Sequence, residues 1–149
     1  MVQDVSGFGT QISVIASNTY PVGVIVNQYS NDADPLDLPS IKIADTAMGV
    51  NGDLQVWATA VPIEVSVSVV VGSASDEILQ ILFDNNRVGA NKTSAADIIT
   101  LSALYPDGSI VTVNNGRCTD YMPGKSIAGT GRLKTRVYKW SFESKIGSA

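Results

Sequence analysis

The segment from Ile63 to Val71, IEVSVSVVV, carries an apolar residue at every odd position, and this period of two constrains the fold more than any other feature. Its even positions hold Glu64, Ser66, Ser68 and Val70. Because successive side chains of a β-strand point to opposite faces, one face belongs in a core and the other carries mostly polar groups. The pattern predicts a half-buried β-strand.

Strand-type alternation recurs along the chain and predicts a mainly β fold. It occupies residues 11–16, 22–26, 97–105, 109–114 and 132–142. The tripeptide Pro-Asp-Gly at 106–108 separates two of these runs, and such residues are typical of hairpin turns. Hydrophobic residues form 44% of the chain and charged residues only 16%, which excludes disorder of the whole chain. We predict a β-sandwich or small barrel, with residues 1–149 forming one domain.

Two further elements depart from this pattern. Residues 75–87 (SDEILQILFDNNR) repeat apolar side chains at helical spacing, with Asp76 and Glu77 in the first turn, and they predict the only substantial helix. Residues 41–47 and 54–60 face each other across Asn51-Gly52, a dipeptide typical of tight hairpin turns. Since the first arm has few hydrophobic positions, we expect an extended hairpin over residues 41–60 that projects from the domain.

The composition argues against catalysis. The chain has no histidine, which is the commonest general base and metal ligand, and its one cysteine, Cys118, therefore lacks a base to activate it. Glu64 has no recognisable partner carboxylate for acid–base chemistry. We expect no enzymatic activity, no catalytic residue and no cofactor, and we assign Cys118 to the core or to an interface.

Two segments resemble ligand-binding motifs without meeting their requirements. Residues 124–126 (Gly-Lys-Ser) lack the upstream glycine of a phosphate-binding loop and precede a predicted strand, not a helix. Asp32, Asp34 and Asp37 alternate as calcium ligands do, but Pro35 interrupts them and no glutamate closes the loop. We interpret the two segments as an ordinary glycine-rich loop and a solvated acidic loop, and we expect no metal site.

Charge is distributed unevenly along the chain. Residues 1–86 carry ten acidic side chains and one lysine, a net charge of −9, whereas residues 87–149 carry nine basic and four acidic side chains, a net charge of +5. In the predicted closing strand, Arg132, Lys134 and Arg136 alternate and project from one face. That face has two interpretations: it binds single-stranded nucleic acid, or it meets the acidic half of another copy at an inter-subunit seam. Self-complementary charge favours the seam.

The order of these elements resembles that of the tail-tube proteins of long-tailed bacteriophages. The parts that carry the resemblance are the hairpin around Asn51-Gly52, the strand 63–71, the helix 75–87, the hairpin ITLSALYPDGSIVTV (99–113) and the ending RVYKWSFES (136–144). The resemblance implies a structural virion protein with a tail-tube-like β-sandwich. Such proteins assemble into stacked rings of six subunits that form the conduit for DNA ejection.

The resemblance also implies roles for particular residues. The hairpin with Asp45, Asn51, Gly52 and Asp53 would make the contact between rings. The candidate lumen-facing side chains are those of Glu64, Ser66 and Ser68.

Partners and location follow from the same resemblance. The partners would be further copies of the chain, sheath or other tail proteins and a tape-measure protein, with DNA only in transit and no membrane. The expected location is the virion, with assembly in the host cytoplasm. The absence of lysine and arginine before Lys42 agrees with this expectation, because a signal peptide begins with positive charge.

Two alternatives remain open at this point. A baseplate or tail-cap protein with the same fold would form one ring and stop, and a single-stranded nucleic-acid-binding β-barrel would use the basic strand for DNA or RNA.

For the seam interpretation, replacing Arg132, Lys134 and Arg136 with glutamate is expected to prevent polymerisation and to leave folding of the monomer largely intact.

Overall fold

The computed structural model describes residues 2–3, 7–31 and 33–147, which contain ten β-strands and one α-helix. In chain order the elements are β1 (Gln11–Ala16), β2 (Tyr20–Val26), β3 (Leu36–Asp37), β4 (Ala44–Met48), β5 (Leu54–Ala58), β6 (Ile63–Val69), α1 (Ala74–Asn86), β7 (Ile99–Leu104), β8 (Ile110–Asp120), β9 (Arg136–Phe142) and β10 (Ser144–Gly147). The mainly β fold, the helix and both hairpins predicted from the sequence are confirmed.

Eight of these strands form one antiparallel array in the order β2-β1-β7-β8-β9-β6-β3, with β10 paired to β8. The eleven-residue strand β8 lies in the middle of this order and takes part in both halves of the array. Its first part pairs with β7 and β10, and its last part, from Arg117 to Asp120, pairs with β9. We call β2, β1, β7, β10 and the first part of β8 the front half-sheet, and the last part of β8 with β9, β6 and β3 the back half-sheet.

One hydrophobic core joins the two half-sheets and the helix. Its buried side chains come from β1, β2, β6, α1, β7, β8 and β9, and the largest are Trp140, Tyr138 and Phe142 of β9. The ring of Phe83 on α1 lies 5.0 Å from that of Tyr138 and 5.2 Å from that of Trp140. The helix therefore packs its apolar stripe onto the inner face of the back half-sheet.

The helix begins and ends close to the predicted positions. The Ser73 side chain accepts a hydrogen bond from the Asp76 backbone N–H at 3.2 Å and so caps the first turn. The helical residues end at Asn86, one residue before the predicted end. These local signals lie within a few residues of each helix end, which is why the sequence alone located the helix.

Gly116 lies where β8 passes from the front to the back half-sheet. A Cβ atom at this position would lie 2.2 Å from Cδ1 of Phe142, far inside van der Waals contact. We expect Gly116→Ala to lower the free energy of unfolding by about 1–3 kcal/mol, because Phe142 must leave its place in the core. Urea unfolding followed by circular dichroism measures the change.

The matched control for this prediction is Gly124→Ala, since a Cβ there would meet nothing within 4 Å. A second control is Phe142→Leu, made alone and together with Gly116→Ala. Gly116→Ala should lower the free energy of unfolding by less when leucine, which is smaller, stands at position 142 than when phenylalanine does. Equal costs in the two backgrounds would show that the steric explanation is wrong.

Some predicted strand limits require correction. The closing strand begins at Arg136, not at Arg132, and a separate strand, β10, follows after Glu143. The segment of Asp34 and Asp37, interpreted from the sequence as a solvated acidic loop, contains the short strand β3, which pairs with β6. Such pairings join residues far apart in sequence, and the alternation of side chains along one segment carries no information about its partner.

Candidate assembly surfaces

The predicted extended hairpin is present as β4 and β5, and its two strands pair with each other but with no strand of the eight-stranded array. Met48 lies opposite Leu54, and five residues form the tip. The Gly49 N–H donates to the Asp53 carbonyl at 2.7 Å, and Gly52 has a φ of +86°, which glycine adopts without strain. The hairpin predicted across Asn51-Gly52 is confirmed, but its turn is closed one step earlier, where the Gly52 N–H donates to the Gly49 carbonyl at 2.9 Å. We call residues 44–58 the apolar hairpin.

The apolar hairpin exposes large hydrophobic side chains. Met48, Leu54, Val56 and Trp57 are each at least 50% exposed, and none belongs to the hydrophobic core. An isolated two-stranded hairpin is at best marginally stable in water, and clustered exposed apolar groups are typical of interaction surfaces. The predicted inter-ring residues Asp45, Asn51, Gly52 and Asp53 lie here. The apolar residues were not among them, although Leu54 and Val56 alternate with polar Gln55.

A second, shorter hairpin occupies the segment predicted as a glycine-rich loop and the start of a strand. The Lys134 N–H donates to the Ser126 carbonyl at 2.7 Å, and the Ala128 N–H donates to the Arg132 carbonyl at 2.7 Å. Ile127 and Leu133 lie opposite each other, and their side chains are 71% and 38% exposed. We call residues 125–134 the basic hairpin, because it carries Lys125, Arg132 and Lys134, all exposed.

Arg136 does not share this exposed surface, contrary to the prediction that it lies with Arg132 and Lys134 on one accessible face. It is the first residue of β9 and is only 7% exposed. Its Nη1 donates to Oδ2 of Asp76 at 2.9 Å and to Oε1 of Gln80 at 3.2 Å. The alternation was correctly identified. From Arg136 onward, however, the side chains on this face of the strand are buried in the core, and the arginine forms an internal ion pair.

The same cluster includes Tyr138. Its hydroxyl donates to Oδ1 of Asp76 at 2.7 Å, while the Gly72 N–H donates to Oδ2 at 3.0 Å. Burial, followed by the neighbouring Asp76 carboxylate, raises the pKa of Tyr138 above its ordinary value, so the hydroxyl stays neutral and donates. The cluster therefore fastens the start of α1 to the start of β9 and has a structural role.

The three candidate lumen-facing residues of β6 differ in accessibility. Glu64 is exposed, and Ser66 is half-buried between Asp37 of β3 and Lys139 of β9. Ser68 is only 4% exposed, so the prediction that it presents its side chain on an open face is wrong. The Ser68 backbone is paired with the segment before β3, since its N–H donates to the Pro35 carbonyl at 3.1 Å and its carbonyl accepts from the Ser30 N–H at 3.4 Å.

The remaining candidate groups show no reactive arrangement. Burial raises the pKa of the Cys118 thiol to about 12, and the side chain packs against the core. Within residues 2–3, 7–31 and 33–147, no three His, Cys, Asp or Glu side chains form a group that could hold a metal ion, and Asp32 lies outside the described residues. In the same part of the chain, no helix is long and apolar enough to span a membrane.

Comparison with known proteins gives a family and a fold. Residues 3–146 match the family described as Tail fiber protein gp32. No curated protein matches the sequence. The family match covers nearly the whole chain.

Several solved structures share the fold. The cap that terminates the tube of the anti-feeding prophage matches with a TM-score of 0.61 and 9% identity, over 100% of this chain and 93% of that one. The sheath/tube terminator of the PVC extracellular contractile injection system matches with a TM-score of 0.58 and 14% identity, over 100% of this chain and 99% of that one. A chain of the PVC sheath–tube complex matches with a TM-score of 0.55 and 15% identity, over 93% of this chain and 88% of that one. At these identities the similarity concerns the fold alone.

Proposed function

The chain belongs to the Tail fiber protein gp32 family, and from this premise we propose that it is a structural tail protein that assembles into a single ring at the end of a tail tube. The observation that carries the proposal is the similarity, over the entire chain, to a tube-terminating cap and to a sheath/tube terminator. The similarity to the tube-containing complex is lower and covers less of the chain. We propose a structural role without catalysis, in the virion, beside other tail proteins.

The surface of the chain supports assembly. Two hairpins project from the array, and the apolar one exposes side chains that a soluble monomer ordinarily covers. The edge strand β2 also exposes Val22 and Ile25, and unpaired strand edges associate with other chains unless they are covered. A ring of copies would cover these surfaces.

A stacked tube is the second candidate, because the negative and positive halves of the chain are complementary and a head-to-tail contact that does not close produces filaments. In that candidate the apolar hairpin would contact the next ring, Glu64 and Ser66 would be the remaining lumen candidates, and DNA and a tape-measure protein would occupy the channel. The two candidates differ in whether rings stack without other tail proteins.

Negative-stain electron microscopy of the purified protein over a concentration series tests the proposal. We expect separate rings of uniform diameter that do not stack as the concentration rises. Long hollow tubes would support the second candidate and contradict the first. Monomers at every concentration would contradict both, and salt-dependent oligonucleotide binding by that monomer would support the nucleic-acid-binding alternative.

A further inference from the structure

We propose that neighbouring copies within the ring are joined by the apolar hairpin of one copy docking on the basic hairpin of the next. This inference rests on the proposed ring, and it names the two surfaces that form the ring contact. From the sequence, the hairpin 41–60 was expected to make the contact between rings, and the basic strand was expected to form the inter-subunit seam. The inference joins these two surfaces in one contact.

The two hairpins emerge from opposite ends of the same pair of strands. The chain leaves the apolar hairpin and enters β6 at Ile63, which lies opposite Phe142 of β9. It leaves the basic hairpin and enters β9 at Arg136, which lies opposite Val69 at the other end of β6. The six residue steps between these positions correspond to about 20 Å. The two hairpins of one copy are therefore attached at opposite ends of this strand pair, and they provide the two different surfaces that a head-to-tail contact between copies uses.

The base of the basic hairpin is firmly attached. Gln80 of α1 donates to the Pro123 carbonyl at 3.2 Å just before the hairpin, and Arg136 enters its buried ion pair just after it. The hydroxyls of Ser30 and Thr135 lie 2.9 Å apart beside the same end. A hairpin held at both ends loses little conformational freedom on binding, which favours its use as a docking site.

The charges of the two hairpins are complementary. The apolar hairpin carries Asp45 and Asp53 and no basic residue, whereas the basic hairpin carries three basic residues and no acidic one. Asp45 forms an exposed ion pair with nearby Lys42, and such pairs are weak and easily exchanged. Opposite charges on the two surfaces steer them together and disfavour contact between like hairpins.

The apolar surfaces are complementary as well. Ile127 and Leu133 form an apolar pair on the basic hairpin, and successive residues of a strand alternate, so Arg132 and Lys134 lie on its other side. On the apolar hairpin, Leu54 and Val56 lie on one face and are 64% and 60% exposed, whereas Trp57, 50% exposed, lies on the other face opposite Asp45. Each hairpin therefore offers an exposed apolar face in addition to its charges, and exposed apolar side chains are typical of surfaces that bind other chains.

A charge-reversal experiment tests the contact. One variant is Lys125→Glu/Lys134→Glu on the basic hairpin, and the other is Asp45→Lys/Asp53→Lys on the apolar hairpin. Each alone should raise the concentration needed for half-assembly by at least tenfold, measured by sedimentation velocity. An equimolar mixture of the two variants, and a chain carrying all four substitutions, should both assemble again, because opposite charges then face each other in every contact.

The matched control is Lys139→Glu/Lys145→Glu, which makes the same change of charge on β9 and β10, away from both hairpins. It should assemble as the unmodified chain does, and circular dichroism should show every variant folded. If both reversed variants still form rings, or if neither the mixture nor the fourfold variant restores them, the inference is wrong while the proposed function stands. If the unmodified chain forms no ring, the proposed function fails first.

Discussion

Replacing Arg136 with alanine is expected to lower the free energy of unfolding by about 3–5 kcal/mol, because the substitution leaves the Asp76 carboxylate buried without its cation. The Asp76 side chain is only 2% exposed in this ion pair and that of Arg136 is 8% exposed. Water therefore has almost no access to the carboxylate once the guanidinium is removed, and the remaining neutral donors cannot replace a full positive charge.

The effect should be large because one cluster holds several elements together. Asp76 lies in the first turn of α1, Arg136 and Tyr138 lie on β9, and Gly72 lies in the turn that leads to the helix. Loss of the ion pair weakens the attachment of the helix start to the sheet, and with it the packing of Phe83 on the Tyr138 ring. The basic hairpin leads directly into Arg136 and should also become more mobile.

Urea unfolding followed by circular dichroism measures this prediction. Lys134→Ala, an exposed cation two residues earlier, is the matched control and should change stability by no more than about 0.5 kcal/mol. A double variant, Asp76→Leu/Arg136→Met, removes both charges and should be much less destabilised than Arg136→Ala, since no unpaired charge remains. An Arg136→Ala protein within about 1 kcal/mol of the unmodified chain would contradict the assigned role.

The buried ion pair also changes how the seam should be tested. Glutamate at Arg132, Lys134 and Arg136 together was expected from the sequence to spare folding of the monomer. In the structure, glutamate at 136 would place a second acid beside buried Asp76, and like charges in that position repel strongly. Loss of assembly by the triple variant would then report unfolding as much as a lost interface, which is why the charge reversals described above spare Arg136.

The features that the sequence predicted well are those whose signals are local. The alternation of β6, the spacing and capping of α1 and the Asn51-Gly52 turn each lie within a few residues of the element that they specify. Burial depends on more distant parts of the chain. Arg136 and Ser68 occupy regular alternating positions, yet both are buried in the structure, Arg136 in contact with Asp76 and Gln80 of the helix.

The candidate site was predicted only in part, for the same reason. The alternation of Arg132 and Lys134 was identified correctly, but no local signal indicated that this segment folds back on residues 126–128 to form a hairpin of its own. The projecting hairpin was predicted, but Val56 and Trp57 were not singled out as its exposed surface, because apolar residues in a strand pattern ordinarily indicate a core. Their exposure accompanies the sheet topology, in which β4 and β5 pair with each other and with no strand of the eight-stranded array.

Asp97 provides the second large prediction, since it is a fully buried carboxylate stabilised by hydrogen bonds. Its Oδ1 accepts from the backbone N–H groups of Asn18 at 2.7 Å and Thr19 at 3.0 Å. Its Oδ2 accepts from the Thr19 hydroxyl and from Nδ2 of Asn86 at 2.8 Å. The carboxylate thus links the turn between β1 and β2 to the end of α1.

These contacts determine how the carboxyl titrates. Burial alone would raise the pKa of Asp97, but the hydrogen bonds from Thr19, Asn86 and Asn18 outweigh it and lower the pKa below its ordinary value. The folded chain therefore binds the proton less readily than the unfolded chain. The resulting stabilisation is fully present above the unfolded pKa of about 3.9, and it is lost as the pH falls through the lower folded value.

Asp97→Asn is expected to lower the free energy of unfolding at pH 7 by about 2–4 kcal/mol, because the amide nitrogen would face two donors whichever way the side chain turns. It should also weaken the dependence of stability on pH below about 4, since the titrating group is gone. Urea unfolding from pH 7 to pH 2.5 measures both effects, with Asp34→Asn on the exposed acidic loop as the matched control. An Asp97→Asn protein as stable as the control at pH 7, with the same loss of stability in acid, would show that the hydrogen bonds to Asp97 contribute little. A loss at pH 7 that disappears in acid would show that the ionised carboxylate, and not the shape of the side chain, holds the turn against the helix.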